Sequence, residues 1–184
     1  MDAELADIKT DYMVSATKAI NNGHTVQFNY QPGSQMVVGE RSLHLLQFHF
    51  HAPSEHTLFG RRFDMEMHLV HKDDWGNLGV LGVFLKKGER NQALQKLWDA
   101  IPQEAGGEKN GPKINVAELL PASLRYYRYA GSLTTPPCSE GVSWFVAREP
   151  ITVAEEQVKQ FVKAVPASSR PVQARFDRPI LGMR

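Results

Sequence analysis

Histidine side chains are concentrated in one short part of the sequence. Five of the seven histidines lie between positions 49 and 71, and the segment Gln47-Phe-His49-Phe-His51 alternates histidine with phenylalanine. On a β-strand, residues i and i+2 share a face. His49 and His51 would therefore project together while the two phenylalanines pack into a core. Two imidazoles at this spacing can supply two ligands to one metal ion.

A third ligand is expected from the segment Glu66-Met-His68-Leu-Val-His71. His68 and His71 fall on opposite faces of a strand, so only one of them can face the first two histidines. His68 is the better candidate, because Glu66 shares its face and can accept a hydrogen bond from its second ring nitrogen. Such a partner fixes the tautomer and direction of a ligating histidine. Gln47 is placed in the same way for His49.

Three neutral imidazoles are ligands that favour Zn²⁺. They leave a fourth tetrahedral position to water, which is typical of a catalytic zinc site rather than a structural one. The alternative is a group of hydrogen-bonded core histidines without a metal. Three buried imidazoles would then be costly to desolvate, so the pattern favours zinc.

The elements that must position these residues follow from the hydrophobic periodicity. Strands are predicted at 25–30, 43–51, 65–71, 78–85, 125–130 and 142–147. Helices are predicted at 91–101 and after a capping box that runs from Thr152 to Glu155. The Gly- and Pro-containing segments 103–112 and 167–179 are expected to be surface loops. The fold class is therefore mainly β (α+β), a single domain over 1–184 with a large, mostly antiparallel twisted sheet and a few short peripheral helices.

Composition limits the possible partners. The 184 residues carry a net charge of +1, which gives no basic excess for binding nucleic acid or an anionic membrane. The longest apolar run, 78–85, is far shorter than the roughly 20 residues of a membrane-spanning helix. The N-terminus lacks the features of a secretory signal. The single cysteine, Cys138, excludes an internal disulfide and is expected to be a small buried apolar residue.

Three motifs together resemble the α-class carbonic anhydrases, in particular the bacterial members. They are the runs QFHFHAPSEH and MEMHLVH and the segment Tyr129-Ala-Gly-Ser-Leu-Thr134-Thr-Pro-Pro-Cys138, in the family's order and spacing. The resemblance implies zinc-dependent, sulfonamide-sensitive, reversible hydration of CO2 to bicarbonate by attack of zinc-bound hydroxide. It places the zinc ligands at His49, His51 and His68. The residues behind the ligands are then Gln47, Glu66 and His56.

The resemblance also implies the remaining catalytic roles. Thr134 would accept a hydrogen bond from the hydroxide and donate its own to Glu55, and His24 would shuttle protons to solvent. From the residues alone, Thr134 could equally be a turn residue, Glu55 a solvated carboxylate and His24 an exposed loop histidine. Thr135 would help to bind bicarbonate. The side chains expected to surround CO2 are Val70, Val80, Leu133, Val142 and Trp144.

The chain departs from the family pattern at its N-terminus. Members usually carry a preceding segment with an aromatic cluster, a tyrosine at the cavity mouth and a cysteine that pairs with the position of Cys138. We therefore expect a truncated domain, an unpaired Cys138 and an uncovered surface that could form a homodimer. The resemblance implies a periplasmic or secreted protein, and a cytoplasmic one remains open. A catalytically weak or inactive carbonic-anhydrase-like binding protein is the alternative function.

Overall fold

The computed structural model describes residues 2–183 and is built mainly of β-strands. In chain order the strands are β1 Asp2–Ala3, β2 Ile8–Asp11, β3 Ser15–Asn21, β4 Val26–Tyr30, β5 Gln35–Val38, β6 Arg41–His51, β7 Met65–Lys72, β8 Leu78–Lys87, β9 Glu108–Ile114, β10 Tyr126–Ser132, β11 Glu140–Ala147, β12 Ile151–Val153 and β13 Leu181–Met183. The helices are α1 Gln92–Trp98, α2 Glu155–Ala164 and a 3-10 helix at Val116–Leu119. The predicted mainly-β fold class is confirmed.

The described strands form one large sheet. Its main order is β1-β13-β10-β11-β8-β7-β6-β4-β3-β9, with β12 beside β8, and β5 between β2 and β6. Within residues 2–183 the pairs are antiparallel except for β1–β13, β8–β11 and β8–β12. The predicted predominance of antiparallel pairing is therefore confirmed. Strands β6, β7 and β8 lie side by side near the middle and carry the histidine motifs.

One face of these central strands packs against the two α-helices. Phe48 and Phe50 alternate with the histidines of β6 and are completely buried. The Phe50 ring lies 4.7 Å from Trp98 of α1, and Trp98 lies 5.5 Å from Phe161 of α2. Full burial of an aromatic side chain of this size stabilises the fold by roughly 1.5–3 kcal/mol. The core therefore fixes the face from which His49 and His51 project.

Three local expectations are wrong, and one segment carried no expectation. The segment 103–112 is not wholly a loop, because β9 begins at Glu108 and pairs with β3. Residues 1–20, in which no element was predicted, contain β1, β2 and most of β3. Thr152 lies in β12 rather than at a capping box, and the first helical residue of α2 is Glu155. Cys138 is only partly buried, since it lies in a loop rather than in the core.

The start of α2 is stabilised by a side chain from inside the helix. Gln157 is completely buried, and its Oε1 accepts a hydrogen bond from the backbone N–H of Ala154 at 3.1 Å. This bond satisfies one of the N–H groups that the start of a helix leaves unpaired. Neither described α-helix, of seven and ten residues, has the length or apolar character needed to cross a membrane.

Candidate metal centre

Strand register brings the three predicted ligands together on one face of the sheet. His49 of β6 pairs directly with His68 of β7, and His51 pairs with Glu66. Directly paired residues of antiparallel strands have their side chains on the same face. One potential ligand atom from each of His49, His51 and His68 lies within 4.8 Å of the other two.

Each of these imidazoles is oriented through one ring nitrogen. His49 Nδ1 donates to Gln47 Oε1 at 2.8 Å, and His68 Nε2 donates to Glu66 Oε1 at 2.9 Å. His51 Nδ1 donates to the backbone carbonyl of Ser168. The opposite nitrogens, two Nε2 and one Nδ1, are therefore free to act as ligands. This is the arrangement in which an outer acceptor aligns a metal-binding histidine.

The electrostatics of the triad suit a cation. Burial, followed by the neighbouring rings of His51 and His68, holds the pKa of His49 well below its usual value. Burial and the His68 ring lower the pKa of His51 to about 4. The buried Nε2 atom of His51 has no hydrogen-bond partner among the described residues. Neutral imidazoles with an unsatisfied buried nitrogen fit a Zn²⁺ ion, whose preferred ligands include histidine nitrogen.

Glu66 joins the triad to the protein behind it. Its Oε2 accepts from the backbone N–H groups of Glu55 at 3.0 Å and His56 at 2.9 Å, and its Oε1 accepts from His56 Nδ1 at 2.6 Å. Burial alone would raise the pKa of Glu66, but His56 and His68 outweigh it and hold the pKa well below its usual value. A Cβ on Gly82 would lie 2.9 Å from Glu66 Oε1. Glycine at position 82 therefore leaves room for an ionised carboxylate.

His56 extends this network to Tyr129 on β10. His56 Nε2 and the Tyr129 hydroxyl are 2.5 Å apart. Burial lowers the pKa of His56, but the Glu66 carboxylate outweighs this effect and the net pKa is raised. Tyr129 stacks on Trp144 with ring centroids 6.2 Å apart. The sequence argument did not assign a role to Tyr129, although the motif that begins with it was singled out.

The Glu55 carboxylate lies beside two histidines of the triad, with Oε1 3.5 Å from His51 Nδ1 and Oε2 3.9 Å from His68 Nδ1. Its Oε1 accepts from the backbone N–H of Arg170 at 2.7 Å, and its buried Oε2 has no hydrogen-bond partner among the described residues. Thr134 and Glu55 line two of the same cavities. No hydrogen bond between these two side chains occurs in the part of the chain that the structure describes. The roles expected for Thr134 and Glu55 therefore stay predictions.

A cavity of about 270 Å³ opens beside His49 and His68. Five of the six residues expected to bind substrate line it: Val70, Val80, Leu133, Thr135 and Trp144. The sixth, Val142, does not line the cavity. It is 1% exposed and packs against the lining residues, in the same apolar cluster as Val70, Val80 and Trp144. One end of the metal centre is thus bounded by apolar side chains.

His24 lies at a neighbouring cavity of about 260 Å³ that Glu55, Thr134 and Thr135 also line. Its side chain is exposed, and its backbone N–H donates to Asn22 Oδ1 at 2.9 Å in the turn before β4. The position combines access to solvent with proximity to Thr134 and Glu55. Cys138 lines the same cavity.

The two histidines without an expected role lie elsewhere. His71 is on the opposite face of β7, completely buried, and its Nε2 is 2.8 Å from the Tyr12 hydroxyl. His44 is exposed and lies 3.1 Å from Asp74. Neither contributes to the metal centre, in keeping with the parity of β7 that favours His68 over His71.

A large mixed β-sheet brings three imidazoles together beside a partly apolar cavity, an arrangement typical of mononuclear catalytic metal sites. The sequence model of the family described as eukaryotic-type carbonic anhydrase matches residues 1–181. The chain belongs to this α-class carbonic anhydrase family.

Individual relatives agree with this assignment. A carbonic anhydrase from a Nostoc species is 44% identical, and the alignment covers 98% of this chain and 74% of the relative. Among solved structures, a hyperthermostable carbonic anhydrase from a hydrothermal vent chimney matches with a TM-score of 0.96 and 46% identity, covering 100% of this chain and 83% of that one. The α-carbonic anhydrase of Thermovibrio ammonificans, in complex with the inhibitor sulfanilamide, matches with a TM-score of 0.95 and 43% identity, covering 98% and 81%.

Proposed function

We propose that the protein catalyses the reversible hydration of CO2 to bicarbonate, with one zinc ion held by His49, His51 and His68. The observation that carries the proposal is the convergence of one ring nitrogen from each of three imidazoles, each ring oriented by its own acceptor. Zinc bound there would act as a Lewis acid that makes water nucleophilic near neutral pH. Carbonic anhydrases of the same family at 43–44% identity support the choice of reaction.

The protein's own contribution begins with orientation. An ionised carboxylate can only accept hydrogen bonds. Glu55 can therefore accept a hydrogen bond from the Thr134 hydroxyl, which leaves the Thr134 oxygen to accept one from the attacking group. The backbone N–H of Arg170 holds Glu55 in place. This arrangement would direct a lone pair of the nucleophile towards the substrate, and Thr135 would help to bind the bicarbonate that forms.

The apolar wall supplies the second contribution, which is a place for an apolar substrate. Val70 and Val80 are 7% and 1% exposed. Together with Leu133 and Trp144 they offer CO2 a surface beside His68 that disfavours competing water.

The protein's third contribution is proton export, for which His24 is the candidate, since histidine titrates near physiological pH.

Stopped-flow measurement of CO2 hydration tests this function directly. The zinc-loaded chain is expected to accelerate the reaction, and sulfanilamide is expected to abolish the acceleration, because the Thermovibrio ammonificans relative forms a complex with that inhibitor. A zinc-loaded chain without activity would overturn the proposal and favour a catalytically inactive binding protein.

A further inference from the structure

A third cavity, of about 270 Å³, shares Thr134 with the cavity beside His49 and His68, and shares Glu55 and Thr134 with the cavity at His24. It is bounded by the segment that follows α2 and by the ends of β10 and of the Glu55 loop. Its lining includes three arginines, Arg170, Arg175 and Arg178. Nothing in the proposed reaction uses these three cations.

The three guanidinium groups have no carboxylate partner among the residues that the structure describes. None of them takes part in an ion pair within the described residues, 2–183. Glu55 is the one carboxylate in the lining, and the backbone N–H of Arg170 already binds its Oε1. Three arginines and one carboxylate therefore line the same cavity.

Unused hydrogen-bond donors accompany the charge. Arg178 donates from Nε to the carbonyl of Arg175 at 2.9 Å and from Nη2 to that of Ala174 at 2.8 Å. Since a guanidinium carries five N–H donors, three remain on Arg178. The side chains of Arg170 and Arg175 donate no hydrogen bond to any residue that the structure describes. Thr57, Ser132 and Gln173 add neutral donors to the same lining.

We infer that this cavity binds a small oxyanion, of the phosphate or carboxylate class, separately from the metal centre. Guanidinium groups match such anions because two parallel N–H groups can bind two oxygens. Three arginines around one cavity offer more than one such contact. An oxyanion requires cations without ion-pair partners, free hydrogen-bond donors and a concave surface, and the described residues combine all three here.

The site is connected to the metal centre on two sides. The Arg178 guanidinium lies 5.8 Å from the centroid of the Tyr129 ring, and Tyr129 leads through His56 to Glu66. On the other side, Arg170 binds Glu55 through its backbone. An oxyanion that ties the arginines together would order the segment whose Ser168 carbonyl orients His51. Binding at the two sites is therefore expected to be positively coupled.

Calorimetric titration with inorganic phosphate tests the inference on the zinc-loaded chain saturated with sulfanilamide. The inhibitor removes binding of phosphate to the metal, and sodium chloride at equal ionic strength controls for general screening. One phosphate per chain is expected to bind. A chain that fails to bind sulfanilamide would contradict the proposed function, but comparison of the arginine variants would still show whether phosphate binds at the arginines.

Arg175→Gln is the most specific variant, because the Arg175 side chain is exposed and makes no contact that the fold needs. We expect it and Arg178→Gln to weaken phosphate binding by about tenfold or more, the usual effect of removing a charged hydrogen bond. Arg90→Gln is the matched control, since Arg90 contacts Gln95 at the start of α1, and should bind like the unsubstituted chain. Absence of saturable binding, or equal affinity in Arg175→Gln and Arg90→Gln, would overturn the inference.

Discussion

At the scale of single residues, Glu66 connects most of the candidate site. Its carboxylate binds the ring of His68, the ring of His56 and the backbone of residues 55 and 56, and Glu66 is itself completely buried. Such an acceptor sets the direction of a ligating imidazole and increases its basicity. The affinity for metal should therefore depend on a residue that does not itself bind the metal.

Glu66→Gln tests this dependence. The substitution removes the negative charge and replaces one acceptor oxygen by an NH2 group that faces other donors. We expect the affinity for zinc to fall by about 10- to 100-fold, measured by competition with a chromogenic chelator. Glu89→Gln, at an exposed position, is the control and should leave the affinity unchanged. Equal affinities in the two variants would contradict the role of Glu66.

His24 is the residue whose role depends most on solvent access. If it exports protons, His24→Ala should lower turnover in weak buffer by at least about tenfold, and concentrated imidazole buffer should restore it. His44→Ala, which removes another exposed histidine, is expected to leave turnover unchanged both in weak buffer and in concentrated imidazole buffer. Unchanged turnover of His24→Ala in weak buffer would remove His24 from the mechanism.

Sequence reasoning worked for residues that act through strand parity and failed for those that act through the backbone. The two-residue period of β6 and β7 was enough to choose His68 over His71 and to place Gln47 and Glu66 behind the ligands. The partner of His51 could not be predicted, because it is the backbone carbonyl of Ser168, 117 positions further on. Any residue type can supply a backbone carbonyl, so the identity of the residue at position 168 does not indicate this contact.

At the scale of elements, the same contrast explains which strands were found. Strands β4, β6 and β7 bury apolar side chains largely at every second position, and β8 is an almost unbroken apolar run. Both patterns are visible in the sequence. Strand β3 also alternates regularly between buried and exposed residues, but its buried positions are Ser15, Thr17, Ala19 and Asn21. Polar and small side chains give little hydrophobic period. Long-range pairing with β4 and β9 stabilises this strand instead.

The junction between the two helices offers a test of an element's stability. Gln157 bonds both the N–H and the carbonyl of Asn91 before α1, at 3.0 and 2.8 Å, as well as the N–H of Ala154. Gln157→Leu should lower the free energy of unfolding by about 2–4 kcal/mol, because it leaves buried backbone groups unpaired. Urea denaturation measures the change. The exposed Gln31→Leu should stay within about 0.5 kcal/mol of the unsubstituted chain, and a similar loss in both variants would contradict the argument.

At the scale of the whole molecule, the two faces of β7 place histidines in different surroundings. His68 faces the metal centre, whereas His71 is buried in the core beside Tyr12. Burial lowers the pKa of His71 to about 4. The folded protein therefore keeps His71 neutral, and an unfolded chain, with a histidine pKa near 6.5, binds the proton first.

This difference predicts a dependence of stability on pH. As the pH falls from about 6.5 to about 4, His71 should remove roughly 3 kcal/mol from the free energy of unfolding, with no further loss below its folded pKa. His71→Gln does not titrate and can still bond Tyr12. The difference in stability between the two proteins should therefore narrow over this range, as followed by urea denaturation. A difference that is constant with pH would contradict the assignment.

The outer surface leaves one expectation untested. Phe59 and Phe176 are 89% and 82% exposed, but single exposed apolar residues are ordinary on the surface of a monomer and do not by themselves indicate an interface. The homodimer expected from the sequence stays a prediction. Sedimentation velocity at micromolar concentration distinguishes it from a monomer.

The central claim is that His49, His51 and His68 hold one zinc ion that supports CO2 hydration. Its most direct test is the rate of CO2 hydration during titration of the metal-free chain with zinc. The rate should rise to a plateau at one zinc per chain, with His71→Gln behaving like the unsubstituted protein and His68→Ala staying at the uncatalysed rate. One bound zinc per chain without catalysis, or full activity in His68→Ala, would contradict the account.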